Sequence, residues 1–261
     1  MSTIIDGRAL GAAILNSVKS EIQKTGLTPG LAAVLVGSDP ASHIYVGLKE
    51  RAAALVGIDF TKVILPANTP QAEVIDKINT LNADPKIQAV LVQLPLPAPL
   101  DQNAVVTAID PNKDVDAFSG NNGLMPPPVG AVLEALKSTK LNLAGKSAAL
   151  RVNSQLFGMV LKNALTTLNI QSQIIQPGNN ETILAIADIA ISARGTPHEV
   201  KNIKPGAIII DIGTTRVDNR ILGDFAPEAL TQSGLYTPVP GGIGPLTVAL
   251  LMKNTLALTK N

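Results

Sequence analysis

Ser42, Tyr45 and Lys49 lie along the alanine-rich stretch ASHIYVGLKERAAALVGI, residues 41–58. On a helix, at roughly 100° per residue, their offsets of three and seven place them on one stripe, within about 60° of one another. A lysine in such a stripe can exchange protons near neutrality once burial or a nearby cation pulls its pKa down. Tyr45 sits one helical turn before it, close enough to orient the amine and to stack on a flat ring. The same trio also reads as a capping serine, a half-buried tyrosine and a lysine that snorkels to water. This stretch alone leaves both readings open. Gln93 ends a buried apolar run, at the strand edge where ligands of parallel sheets sit. Asp116, in DPNKDVD, offers two acceptor oxygens or closes an Asx-turn.

Composition narrows the remaining chemistry. Cysteine is absent, which excludes thiol nucleophiles, disulfides and cysteine metal sites. The only histidines, His43 and His198, are far apart, so no metal site is expected. Net charge is +1 without a basic block, so neither nucleic acid nor membrane is an expected partner. The start MSTIIDGRALGAAIL carries Asp6 and Arg8 and reads as no signal peptide. No apolar run approaches the roughly 20 residues of a membrane span, and a cytoplasmic protein is expected.

The elements that must position these groups read as α/β. A helix is expected over about 8–24, with Leu10, Ile14, Val18 and Ile22 on one face. Strand 31–37, the turn GSDPAS, a helix from about His43 to Val56, strand FTKVIL, helix 71–82 and strand 87–93 follow. Further strands are expected within SAALRV (147–152), SQIIQ (172–176), IADIAISA (186–193) and AIIIDIG (207–213). Apolar runs of this kind between helical segments are the pattern of a parallel sheet covered on both faces. The proline stretches LPLPAPLD (94–101) and LMPPPVG (124–130) read as stiff walls, with a lobe boundary in about 118–145. Residues 1–120 plus a returning C-terminal helix, 243–261, are expected to form one α/β lobe. Residues 121–242 are expected to form a Rossmann-like parallel-sheet lobe.

Several long phrases converge on one family. LVGSDPASHIYVGLKERAAALVGI, VQLPLPAPL, DPNKDVDAF, KPGAIIIDIG and TPVPGGIGPLTVALLMKNTL occur in order, nearly end to end. With them the chain resembles the bifunctional methylenetetrahydrofolate dehydrogenase/methenyltetrahydrofolate cyclohydrolase family. The resemblance implies a two-lobed subunit with a tetrahydrofolate derivative in the cleft, NADP on the second lobe, and a homodimer. It implies NADP-dependent oxidation of 5,10-methylenetetrahydrofolate to 5,10-methenyltetrahydrofolate and hydrolysis of that product to 10-formyltetrahydrofolate. Carried over, Lys49 is the acid/base, Tyr45 and Gln93 flank it, and Asp116 holds the pterin, whose paired donors match a carboxylate. Ser42, Leu94, Pro95, Pro240, Gly241, Gly242, Gly244, Pro245 and Thr247 would line the folate site. Val152, Asn153, Ser154, Gly158, Gly195, Gly213 and Thr214 would line the cofactor site.

The departures from the family fall on the second lobe and its approach. Aligned on Gly145–Lys146, Val152 takes a glycine place, Asn153 an arginine place and Val160 a proline place, while Ser154 and Gly158 remain. A β-branched residue is expected to crowd the pyrophosphate turn, and loss of the arginine removes a clamp on a 2′-phosphate. Arg151, Arg194 or Arg216 could supply a substitute contact. Thr214 and Thr215 replace the family's isoleucine and asparagine, IIQPGNNET replaces a cysteine–histidine–serine phrase, and Ala117 stands for a glycine. NAD in place of NADP, or no cofactor, is therefore an alternative. So are a cyclohydrolase without dehydrogenase activity and a non-catalytic folate- or partner-binding relative. His43 is expected in solvent, and His198 to open a helix near the cofactor rim; neither receives a role.

Overall fold

The computed structural model describes residues 2–118, 120, 122–218 and 220–260. Its elements run β1 (Thr3–Ile4), α1 (Gly7–Thr25), β2 (Gly30–Val36), α2 (Pro40–Val56), β3 (Asp59–Leu65), α3 (Gln71–Ala83), β4 (Ala89–Val92) and α4 (Gln102–Val106). They continue with α5 (Pro127–Ser138), β5 (Ser147–Val152), α6 (Gln155–Thr166), β6 (Gln171–Ile175), β7 (Ile189–Ala193) and β8 (Ile208–Asp211). The chain ends with β9 (Thr215–Val217), β10 (Arg220–Leu222), α7 (Pro227–Gln232), β11 (Leu235–Tyr236) and α8 (Ile243–Thr259).

Two compact units result: residues 11–127 with 248–261, and residues 1–10 with 128–247. The sequence assigns the first ten residues to the first lobe. The structure groups them with the second, because β1 pairs in parallel with β11. Helix α8 begins in the second unit and carries the chain back into the first.

The first unit is built on the parallel sheet β3-β2-β4. All of β2 is buried, as a strand covered on both faces must be. Leu31, Ala33 and Leu35 pack with Val18 and Ile22 of α1, Val46 and Val56 of α2, and Leu251 and Met252 of α8. The alternate residues Ala32, Val34 and Val36 pack with Val74, Ile78 and Leu81 of α3 and Val105 of α4. In β4, Ala89 and Leu91 belong to the α2 side, and Val90 and Val92 to the α3 side. Gln93 continues that alternation toward α2, with its amide on the Val34 carbonyl at 2.8 Å.

The second unit has a six-stranded sheet in the order β1-β11-β8-β7-β5-β6, with every pairing parallel. Arg151 shares its face with Ala149, which packs with Leu184, Val200, Ile203 and Phe225. Val152 points to the other face, that of α6.

Three local expectations change. Helix α2 begins at Pro40 rather than His43, because Asp39 caps it and accepts from the Ser42 amide at 2.8 Å. The segment read as a proline wall instead opens α5 at Pro127–Pro128, since a first helical turn needs no amide donors from its prolines. His198 opens no helix: it stands in a turn at φ 58°, with its amide on the Gly223 carbonyl.

Helix α8 reaches the loop that carries Asp116 through one side chain. Asn254 Nδ2 donates to the carbonyls of Val115 at 3.1 Å and Met125 at 3.0 Å. Asn254→Ala leaves both carbonyls without that donor, so urea unfolding should show a loss of about 2–3 kcal/mol. An unchanged unfolding midpoint and slope would exclude this tie as a stabilising contact.

Candidate active site

Lys49 stands in the middle of α2, whose inner face, Val46, Ala53 and Val56, is buried against the sheet. That burial fixes the helix rotation and leaves Tyr45 and Lys49 half-buried, one turn apart. Lys49 Nζ donates to Gln93 Oε1 at 2.9 Å. Gln93 Nε2 donates to the Leu94 carbonyl at 2.7 Å, which fixes the carboxamide with its oxygen toward the lysine. The amine is thus held by one of its hydrogens, and the direction of its lone pair is restricted when it is neutral.

Asp116 is held by its neighbours. Asp114 forms an isolated parallel bridge with Val90, Val115 is buried, and Asn122 Nδ2 donates to the Asp114 carbonyl at 2.7 Å. Ala117 follows at φ 55°, with its amide on the Asp114 carbonyl at 3.2 Å. This left-handed residue explains why the family's glycine suits the place. Burial pushes the Lys49 amine below its ordinary pKa, an effect partly opposed by the negative charge of Asp116. Burial pushes the Asp116 carboxyl up, opposed by Lys49 and reinforced by Asp114. The first unit therefore holds an amine and a carboxyl whose ionised forms are opposed by burial and supported by each other's charge.

The other expected folate residues divide by burial. Ser42 is buried in the first turn of α2, and the helix cap is Asp39. Leu94 is half-buried and joined by a cis peptide to the exposed Pro95. Gly241 and Gly242 are buried: a Cβ on Gly7 would lie 1.8 Å from the Gly242 carbonyl oxygen. That close approach to the start of α1 is made possible by Gly7, whereas the missing Cβ of Gly242 leaves room for the Pro238 carbonyl and Thr237 of its own loop, each at 2.7 Å. Pro240 and Gly244 are exposed, and Pro245 and Thr247 half-buried.

In the second unit, β5 leads through Asn153 and Ser154 into α6. Ser154 Oγ caps the helix, accepting from the Phe157 amide at 3.3 Å. Val152 is fully buried, and its Cγ2 lies 3.0 Å from the place a Cβ on Gly158 would take. The expected crowding of the turn by its side chain does not arise, because the branches point inward onto α6. Asn153 and Ser154 are exposed. A strand, an open polar turn and a capped helix packed closely through glycine fit a dinucleotide pyrophosphate.

A buried carboxylate organises the neighbouring loops. Asp224 accepts from Ser192 Oγ at 2.5 Å and from the amides of Arg194 and Thr196 at 2.8 and 2.7 Å. A Cβ on Gly213 would lie 2.2 Å from that carboxyl, so Gly213 makes room for it. Gly195, at φ 69°, gives its carbonyl to Thr215 Oγ1 at 2.8 Å, and Thr214 is exposed. Asp211 is pushed up to about 7, mainly by burial and further by the Asp224 charge, against the amides of Phe225 and Asp224 that favour its ionised form.

The arginines suggested as substitute phosphate contacts are engaged otherwise. Arg151 Nε donates to both oxygens of Glu181 at 3.1 Å, its Nη1 to Thr196 Oγ1 at 2.7 Å, and its Nη2 to Glu199. Arg194 donates Nη1 to Glu181 and Nη2 to the Ile175 carbonyl at 3.0 Å. Arg216 Nε bonds the Asp218 carbonyl at 3.2 Å. An arginine inside SAALRV was the sequence signal that paired carboxylates had to exist, but not which ones.

Residues 5–116 match the family described as tetrahydrofolate dehydrogenase/cyclohydrolase, catalytic domain, and residues 126–261 match its NAD(P)-binding domain. Bifunctional protein FolD of Acetivibrio thermocellus is 37% identical, with 98% of this chain and 96% of that protein covered. The FolD methylenetetrahydrofolate dehydrogenase/cyclohydrolase structure from Campylobacter jejuni superposes with a TM-score of 0.93 at 32% identity, covering 100% of this chain and 99% of the other. The Trypanosoma brucei enzyme, complexed with NADP cofactor and inhibitor, gives 0.91 at 31% identity over 99% and 97%.

Two titrations test this electrostatic description. The Asp116 charge raises the Lys49 pKa, so Asp116→Asn should make Lys49 titrate at lower pH, read from its side-chain NMR shifts; an unchanged or higher value would refute the coupling. Asp211 keeps its proton to about 7 when folded, against an ordinary 3.8. Its contribution to stability is complete below the ordinary value and is lost as pH rises through the folded one. Asp211→Asn should therefore flatten the fall in unfolding free energy between these limits, and an equal or steeper fall would contradict the assignment.

Proposed function

The chain belongs to the tetrahydrofolate dehydrogenase/cyclohydrolase family and is a methylenetetrahydrofolate dehydrogenase and methenyltetrahydrofolate cyclohydrolase, and from that premise we propose how its own residues divide the two reactions. Lys49 carries the proton in hydrolysis. The methenyl bridge is a cationic carbon shared by two nitrogens, and its charge lowers the lysine pKa further on binding. The neutral amine takes a proton from the attacking water and returns it to the departing nitrogen, opening the ring to the 10-formyl product. Gln93 keeps the amine aimed, and Tyr45 flanks it and stacks on the flat substrate. Asp116 binds the pterin's paired donors. Leu94 and Pro95 complete the folate contacts of this unit.

Oxidation requires placement rather than proton transfer. NADP, when bound, supplies the hydride acceptor. Asn153, Ser154 and the first amides of α6 hold its pyrophosphate, while Gly195, Gly213 and Thr214 border it from the loops that Asp224 organises. The working unit is proposed to be a homodimer. Ile44, Leu48 and Leu55 expose an apolar row on α2, and Ile64 is exposed on the edge strand β3, a surface suited to a second copy.

The observation that carries this reading is the Lys49–Gln93 hydrogen bond at 2.9 Å, formed by an amine whose charge burial opposes. Lys49→Ala should reduce hydrolysis of methenyltetrahydrofolate by about 10²–10⁴-fold and leave folate affinity within about tenfold. Loss of the methenyl absorbance measures the first and equilibrium titration the second. Hydrolysis at the unsubstituted rate would remove Lys49 from the mechanism.

A further inference from the structure

We infer that Glu181 sets the discrimination between NADP and NAD: it holds Arg151 and Arg194 so that neither guanidinium receives a 2′-phosphate, and NAD is accepted as a second cofactor of comparable affinity. The inference rests on the reading of the second unit as the dinucleotide lobe.

In a sheet of this kind the pyrophosphate lies at the turn after the first strand. The adenosine ribose lies at the carboxyl end of the next strand, where a carboxylate accepts from its 2′-hydroxyl or a free arginine takes a 2′-phosphate. Here the first strand is β5 and its neighbour is β6, in register Arg151 with Ile175. Arg194 follows β7 and its guanidinium reaches the carboxyl end of β6, where its Nη2 is on the Ile175 carbonyl and its Nη1 on Glu181. Its Nε is buried without a hydrogen-bond partner. The Arg151 side chain is only 2% exposed and is bracketed by Glu181 and Glu199.

The charges decide the outcome. Two guanidiniums face three carboxylates, Glu181, Glu199 and Asp224, the last 3.9 Å from Arg151 Nη1. The formal sum of +2 and −3 is −1, so the cluster has no positive charge to offer a dianionic phosphate. Glu181 and Glu199 also line a surface cavity of about 410 Å³. A carboxylate at that cavity can accept from a ribose hydroxyl. Asn153, at the turn after β5, is uncharged and donates to the Arg194 carbonyl at 3.0 Å. Lys201 lines the same cavity and is the competing candidate for a phosphate contact.

Calorimetric titration of the full chain with NADP, NAD, adenosine 2′,5′-bisphosphate and 5′-AMP tests this without turnover. NADP and NAD should bind within about tenfold of each other, as should the two fragments. Glu181→Gln should improve NADP relative to NAD by at least about tenfold, and Lys201→Ala should leave the ratio unchanged. A larger 2′-phosphate preference in the unsubstituted protein overturns the inference even where Glu181→Gln does not fold. So does a smaller relative gain in a folded Glu181→Gln variant, or a loss of NADP affinity alone in Lys201→Ala. Failure of all four ligands to bind would instead overturn the dinucleotide reading beneath it.

Discussion

The first unit depends on keeping an amine out of water without leaving it unheld. A lone buried ammonium is costly, and a lysine free to swing into solvent keeps its ordinary basicity. The fold avoids both. The inner residues of α2 are locked against Leu31, Ala33 and Leu35, so the helix cannot roll and carry Lys49 outward. On the sheet side, Gln93 inherits the alternation of β4 and arrives on the face that α2 covers. Its other amide atom is tied to its own neighbour, Leu94. Two apolar periodicities, one helical and one of two, thus converge on a single polar contact.

The second unit solves a different problem with similar means. Its loops at the carboxyl ends of β7 and β8 have to hold a shape that backbone hydrogen bonding alone does not dictate. Asp224 does so by accepting from one hydroxyl and two amides across the loop. The carboxyl fits there because Gly213 has no side chain, and the missing Cβ of Gly223 leaves the same space for Asp211. Gly213, which reads as a cofactor contact in the sequence, serves here first as space for a buried acid. The two uses are compatible, since a loop must be rigid before its surface can be specific.

Much of this was legible from one chain, for identifiable reasons. Strand SAALRV has the predicted bounds, because a continuous apolar run between glycine and a polar turn leaves little freedom. Strand and helix phase place Gln93 and Lys49 on facing sides, but their contact was expected from the family resemblance. What escaped was pairing between segments remote in sequence. Glu181 and Glu199 lie 30 and 48 residues from Arg151, and no local rule singles them out from other surface acids. Val152 packs inward and does not crowd the turn, because alignment to a motif gives position and not side-chain direction. The alternative reading of Ser42 as a helix cap fails because Asp39, three residues earlier, takes that place. Short strands such as β1 and β11 carry too few residues to show a period at all.

The uneven departure from the family pattern follows from what each reaction asks of a protein. Hydrolysis asks for a particular proton-carrying group with a shifted pKa, and no other side chain at position 49 would combine reach, basicity and sensitivity to burial. Hydride transfer asks that a bound molecule be placed, which backbone amides and packed glycines can do without any particular exposed side chain. The changed residues Asn153 and Thr214 are exposed, whereas Ser154, Gly158 and Gly213, which cap, pack or make room, are kept. The departures fall both on exposed residues that face a ligand, Asn153 and Thr214, and on buried ones that pack or turn the chain, Val152 and Ala117. In such a lobe the part of the cofactor most exposed to change is the one read by charge alone. That leaves the 2′-phosphate free to gain or lose its partner while the turn beneath it stays the same.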